Sequence, residues 1–256
     1  MISIIVPVYN NLEMTKECLK AIGKNTLPEY EVIIIDNGSL PSITGTTGGG
    51  FYKPTSFSLP WNLLIRNEEN KGFPVAVNQG IVAAKGDTIV LLNNDVIVTP
   101  YAINRLVAML DNGYDIVGSM TNYCAGVQQI TIPSYNNQTE LDRQADLFFV
   151  KNAGKSIEVN WVIGFFMAFK KSLYDAVGPF DESLWPCSGE ELDFCLHARS
   201  MKKKIGIAQD VYVHHFGSQT FTEMQKNGQL NYQEICRRND THIQNKWGDF
   251  WNKQLV

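Results

Sequence analysis

Short apolar runs alternate with amphipathic stretches along this chain. Ile2 to Val8 (ISIIVPV) and Glu31 to Ile35 are continuous runs bounded by turn residues, the pattern of strands buried on both faces. Between them Leu12, Thr15, Cys18, Leu19 and Ile22 recur at helical spacing up to Lys24-Asn25. Strand, helix, strand predicts a right-handed βαβ unit with Tyr9 and Asp36 on one carboxyl edge. Asn62 to Ile65 predicts a third strand and Arg66 to Gly72 a polar loop. Phe73-Pro74 then opens a helix with Val77, Ile81 and Ala84 as its buried stripe and Asn78 one turn in. Gly86 stops that helix, and Thr88 to Leu92 is the central strand, ending abruptly in Asn93-Asn94-Asp95.

The second half is less regular. Thr99-Pro100 reads as an N-cap with Pro at N1, leading a helix through Ile103, Leu106, Val107 and Leu110. Asp115 to Gly118 predicts a short strand, Asn122 to Asn137 an irregular stretch, and Leu141 to Val150 a helix. Trp161 to Phe169 reads as an apolar strand with Gly164 in its middle, where a glycine marks either tight packing or the close approach of another backbone or a ligand. After a short helix at Leu173 to Val177, Ser188 and Glu191 form a capping box for a helix carrying Leu192, Cys195, Leu196 and Arg199. Asp210 to Val213 is a closing strand that delivers His214-His215. Thr44 to Gly50 is low-complexity, with Phe51, Tyr52 and Phe57 after it. The tail from Thr220 is polar and helical, with Trp247, Phe250 and Trp251 expected to dock it.

Composition narrows the classes. The 256 residues, 44% hydrophobic and 19% charged with net charge -4, make one large domain or two small ones and carry no basic excess for nucleic acid. The longest apolar run, Trp161 to Phe169, falls far short of the ~20 residues of a membrane span. At most peripheral membrane association is expected, and a cytoplasmic location. Five cysteines, an odd number without a C-x-x-C pair, argue against a zinc ribbon or a disulfide framework.

Candidate chemistry gathers at strand ends. Alternation along an extended chain projects Asn93 and Asp95 together and Asn94 away, and hard oxygens there suit Mg2+ or Mn2+; turn chemistry is the alternative. Asp36 is placed to accept from a ribose hydroxyl or a base, or to close an Asx-turn. Glu190, Glu191 and Asp193 crowd a helix start, where the dipole favours carboxylates. Glu191 and Asp193 lie about 200° apart around the axis and cannot easily share a site. Lys202-Lys203-Lys204 reads as a solvated surface run.

Seven motifs in order, IIVPVYN, VIIIDNGS, NEENKGFPVAVNQG, DTIVLLNNDV, GFFMAFKKSLYDAVGPFDE, GEELDFCLHAR and VYVHHFGSQTF, resemble family 2 glycosyltransferases in their bacterial rhamnosyltransferase-like branch. The resemblance runs from Ser3 to about Phe221. It implies an α/β GT-A fold with a mostly parallel central sheet and helices on both faces. A nucleotide-sugar half (1–98) is followed by an acceptor half (99–220) and a C-terminal helical extension (221–256). It further implies that Pro7, Val8, Tyr9 and Asp36 hold the base and ribose of a UDP- or dTDP-sugar, with Asn78 near the nucleotide. Asn93-Asn94-Asp95 stands at the DxD motif, with Asp95 contacting Mn2+ or Mg2+ on the diphosphate; Asn93 replaces the first Asp and removes one charge. A late histidine, His214 or His215, is implied as a further metal ligand, His214 being preferred because it is followed by x-Phe. Glu191 corresponds to the general base, with Asp193 second, and Gly164, Trp185 and Glu190 fall on the acceptor side. The implied activity is inverting transfer to a hydroxyl of a glycan, lipid-linked or peptide acceptor. The alternatives are a sugar-phosphate nucleotidyltransferase, whose Gly-rich basic loop is missing after the first strand, and a non-catalytic nucleotide-sugar or partner-binding module.

Overall fold

In the computed structural model, which describes residues 1–43, 50–52, 62–217 and 231–250, the sheet is built outward from β1 (Ile2–Val8). Ser3 to Val8 are all buried because parallel strands flank them: β2 (Tyr30–Asn37) on one side and β5 (Thr88–Leu92) on the other. β4 (Leu63–Asn67) continues the parallel ladder beyond β2, and β3 (Gly50–Tyr52) closes that edge antiparallel. Helix α1 (Leu12–Asn25) connects β1 to β2, and α2 (Phe73–Ala83) connects β4 to β5. These crossovers travel in opposite directions along the sheet, so their shared right-handedness puts α1 and α2 on opposite faces. The direction switches between β1 and β5, which opens a crevice at the carboxyl ends of those strands.

Past β5 the sheet is mixed. β9 (Phe166–Lys170) runs antiparallel to both β5 and β7 (Ile116–Thr121), and β10 (Ile205–His215) runs parallel to β7. β6 (Val96–Val98) and β8 (Ser156–Val159) each pair with β10 antiparallel. The order is β3-β4-β2-β1-β5-β9-β7-β10-β6, with β8 beside β10. Helices α3 (Ala102–Ala108), α4 (Gln138–Asn152), α5 (Lys171–Val177), α6 (Glu190–Ser200) and α7 (Tyr232–Trp247) are the other α-helices among the described residues.

Several local expectations are corrected. The run at 161–169 is a strand only from Phe166; Val162 and Phe165 are buried within a loop, and apolarity alone does not separate a buried loop from a strand. β10 is longer than expected because a register shift between Ala208 and Tyr212 carries the ladder past the polar Gln209-Asp210. Arg66 and Asn67 belong to β4 and are buried. The Thr99 hydroxyl donates to the Tyr212 carbonyl (2.5 Å) instead of capping, and α3 starts after Tyr101 in the left-handed region. α6 is preceded not by a Ser188 cap but by Gly189 at φ 95°. β8 has three exposed residues and no apolar run to announce it.

All five cysteines are free thiols. Besides the main core, Leu184, Leu196 and Ile243 form a small cluster with Trp247 and Phe250 packed on it, so two of the tail aromatics dock as expected. Thr44–Gly49, Phe57, Phe221 and Trp251 lie outside the described residues. Among the described residues no helix is long and apolar enough to cross a membrane.

Asn78, expected near a nucleotide, is used inside the fold. Its Nδ2 donates to the Phe180 carbonyl (2.9 Å) and Glu182 (3.0 Å), while its Oδ1 accepts from Phe180 N–H (3.0 Å) and the Tyr174 hydroxyl (3.2 Å). Asn78→Ala leaves both backbone groups of Phe180 unpaired, an expected loss of about 3 kcal/mol measurable by urea denaturation.

Candidate active site

The end of β5 is pinned from several directions. Asn93 N–H donates to the Phe165 carbonyl (2.9 Å), and Asn94, turned the other way, donates to Thr15 Oγ1 on α1 (2.9 Å). Asp95 is 8% exposed, and its Oδ1 lies 3.3 Å from His215 Nε2. Register explains the pairing: β6 and β10 set His215 against Val96, and Phe216 N–H continues the ladder to the Asp95 carbonyl (3.0 Å). His214 pairs with Ile97 and points elsewhere, its Nδ1 2.6 Å from the Tyr135 hydroxyl. Burial first, and then His215, push the His214 pKa down. The preference for His214 is therefore reversed: His215 is the histidine beside Asp95.

His215 is held rigidly. Asn122 accepts from its N–H (2.8 Å) and donates to its carbonyl (3.1 Å), and Phe165 stacks on its ring at 5.0 Å. Its Nδ1 lies 2.8 Å from the Tyr123 carbonyl, an acceptor for the Nδ1 proton, so that Nε2 is the ring atom through which His215 would bind a cation. Two acceptor atoms 3.3 Å apart are close to the separation of about 3 Å between adjacent ligands of an octahedral cation with bonds near 2.1 Å. The pair would suit a hard divalent cation. Among the described residues no group of three His, Cys, Asp or Glu gathers as a metal cage.

The glutamates stand at the start of α6. Glu190 is buried and Glu191 partly so, and the Oε2 of each is buried without a hydrogen-bond partner. Burial raises both pKa values, and the charge of Glu191 raises Glu190 further. Gly164 lies against Glu191: a Cβ there would stand 3.3 Å from the Glu191 Cβ. Gly164 and Phe165 therefore join the Glu191 carboxyl to the Asp95–His215 pair. Asp193 faces the opposite way, as the helical offset requires; Trp247 Nε1 (2.7 Å) and Lys246 Nζ (2.8 Å) take its two oxygens. Trp185 is 45% exposed and its indole covers Gly72, the residue before α2.

Pro7 and Val8 end β1 opposite Ile35 and Asp36, and Tyr9 is half-buried at the rim. Asp36 is fully enclosed: it accepts from Ser39 N–H (2.9 Å) and Ile43 N–H (3.3 Å) and is ion-paired with buried Arg66. The turn role is realised, two strands from β5, about 10 Å at ordinary strand spacing. Asn122, Tyr123 and Phe165 were not singled out as site residues; the polar irregular stretch after β7 was the available signal for the first two.

Comparison with known proteins bears on this arrangement. Residues 3–178 match the sequence profile of the family described as Glycosyl transferase family 2. The chain belongs to that family. The match to the glycosyltransferase profile takes in Asp36, Asn93–Asp95 and Gly164 and stops before Glu190, Glu191 and His215. The chain is 25% identical to glycosyltransferase AglE of Haloferax volcanii over 82% of its length and 65% of the relative. It is 31% identical to an undecaprenyl-phosphate 4-deoxy-4-formamido-L-arabinose transferase of Pseudomonas savastanoi over 46% of its length and 35% of the relative. The chain thus spans less than two thirds of these relatives. Among solved structures it resembles S. aureus TarS 1-349 (TM-score 0.55, 18% identity, 87% of this chain and 62% of that one). It also resembles the mannosyltransferase PcManGT of Pyrobaculum calidifontis, solved with GDP-Man and Mn2+ (0.58, 17%, 84% and 56%). The fold is that of GT-A glycosyltransferases.

The raised glutamates fix a pH dependence of stability. Between the ordinary glutamate pKa of about 4.3 and their raised values, the folded chain keeps protons that the unfolded chain has released, so stability falls as pH rises through that window. Glu190→Gln is expected to flatten this fall and raise the melting temperature at neutral pH, as followed by thermal denaturation across the window.

Proposed function

We propose that this glycosyltransferase moves a sugar from a nucleoside-diphosphate sugar to an acceptor hydroxyl with inversion, Glu191 serving as the base. The reading rests on one observation, the contiguity of the buried Glu191 carboxyl, whose Oε2 has no hydrogen-bond partner, with the Asp95–His215 pair through Gly164-Phe165. A carboxyl raised by burial is a stronger base, nearer the working pH. In the transfer Glu191 takes the proton of the acceptor hydroxyl as its oxygen attacks the anomeric carbon, and the nucleoside diphosphate leaves from the opposite face. Asp95 and His215 would hold Mn2+ or Mg2+, which when bound supplies positive charge to offset that developing on the diphosphate. Asn93, its buried Oδ1 unpartnered, offers a neutral oxygen where a second carboxylate would double the charge.

Pro7, Val8 and Tyr9 line the base side of the donor. TarS is solved with UDP-GlcNAc and PcManGT with GDP-Man; a UDP- or dTDP-sugar is the donor class proposed here. Trp185, Gly164 and Glu190 lie toward the acceptor, a hydroxyl of a glycan, lipid-linked sugar or peptide.

Glu191→Gln should bind UDP with Mn2+ as the wild type does and lose transfer by about a thousandfold; undiminished turnover removes Glu191 from the reaction. The released product is expected to be a nucleoside diphosphate, whereas pyrophosphate would indicate nucleotidyl transfer. Asp95→Ala and His215→Ala should each weaken UDP binding in calorimetric titrations with Mn2+ far more than without it, and His214→Ala should leave the difference intact.

A further inference from the structure

Five consecutive carbonyls, from Leu184 to Ser188, find their hydrogen bonds outside their own segment. Asn239 on α7 is 1% exposed. Its Nδ2 lies 3.0 Å from the Leu184 carbonyl, 2.8 Å from that of Cys187 and 2.9 Å from that of Ser188. An amide nitrogen has two protons for these three acceptors, so one proton is shared. The Asn239 Oδ1 accepts from Arg238 Nε (3.0 Å) and Nη2 (2.9 Å), and Arg238 Nη2 also donates to the Trp185 carbonyl. The remaining carbonyl, Pro186, accepts from Phe73 N–H (2.7 Å) at the start of α2.

The segment so held leads directly into α6. Ser188 and Gly189 both have left-handed backbone, φ 80° and 95°, a conformation serine adopts only when its surroundings impose it. Ile243 of α7 occupies the space a Gly189 side chain would need, with its Cδ1 2.6 Å from a Cβ placed there. Farther along, Lys246 and Trp247 grip Asp193. If α7 served only to cover apolar surface, Ile235, Ile243 and Trp247 would suffice, and a buried amide would cost desolvation for nothing. Its bonds to three carbonyls point instead to aiming.

We infer that Asn239 is a positioning residue: with Arg238 it sets the turn that presents Trp185 and launches Glu190 and Glu191, making the C-terminal helix part of the site's scaffold. This rests on the reading of Glu191 as the base. Asn239→Ala in the full chain should leave UDP–Mn2+ affinity within about twofold while sugar release from a panel of UDP- and dTDP-sugars slows about a hundredfold. Carboxyl 13C titration of the glutamates supplies a readout independent of turnover: the wild-type Glu190–Glu191 pair titrates above the ordinary range, and the variant's pair should move back toward it. Arg238→Ala, on an exposed side chain, should shift both readouts the same way, with turnover down about tenfold and folding intact. A wild type that turns over no sugar would defeat the transfer reading alone, since the titration still decides the positioning. If either folded variant lowers the melting temperature but leaves titration and turnover at wild-type values, Asn239 merely docks the helix and the inference is wrong. If Asn239→Ala fails to fold, Arg238→Ala alone decides on the same two readouts.

Discussion

Between Glu191 and His215 runs one stretch of backbone, and the room it needs decides whether the two side chains can serve one reaction. Gly164 passes Glu191 at a distance where even a methyl group would be tight, 3.3 Å from the Glu191 Cβ. The next residue, Phe165, lays its ring on His215 and takes the Asn93 N–H on its carbonyl. A larger residue at 164 would push either the carboxyl or the loop away, and Phe165 would lose its hold on the strand end that carries Asp95. The contact is therefore steric first and electrostatic second: close packing excludes water, and exclusion of water is what raises the Glu191 pKa, against the lowering effect of backbone N–H groups, and leaves its Oε2 unpartnered.

What could be read from the chain follows the range of the interactions involved. β1, α1, β2, α2 and β5 are stabilised by local periodicity and by burial on both faces, and their β-branched runs and helical stripes carry that signal directly. The strands β6, β8 and β10 depend on partners far away in sequence. Nothing within HHF states that β10 slips register at Ala208–Tyr212 and pairs His215 with Val96; alternation says only that one of the two histidines can face Asp95, and the partner strand chooses. The capping box at Ser188 failed for a related reason. Its backbone belongs to a turn held by α7 and α2, so propensity at the helix start is overruled by distant contacts.

Asp36 and Asn78 show what a polar residue at a strand end or helix face does from inside the fold. Asp36 and Arg66 are both buried and bind each other and nearby backbone. Such a pair contributes little net stability, yet removing one member strands the other at a cost of about 3–5 kcal/mol. It fixes the loop after β2: Ser39, held by Asp36, in turn accepts from Asn10 N–H at 2.9 Å. The rim beside Tyr9 thus owes its shape to an ion pair that never reaches solvent. Asn78 does the same for the segment at Phe180, tying α2 to the approach of Trp185.

The family profile ends at residue 178, ahead of α6, β10 and α7. Ahead of that point the chain builds the parallel strands β1, β2, β4 and β5, the crevice where the strand order switches between β1 and β5, and the antiparallel β9. Beyond it come His215, placed by the β10 ladder, and Glu190 and Glu191, whose turn and helix are held by individual side chains such as Asn239 and Lys246. A ladder tolerates many sequences because its bonds are made by backbone. A turn whose carbonyls are all answered by two side chains and one distant N–H does not. The turn before α6 is therefore the part where a few substitutions can re-aim the Glu191 carboxyl without disturbing the sheet.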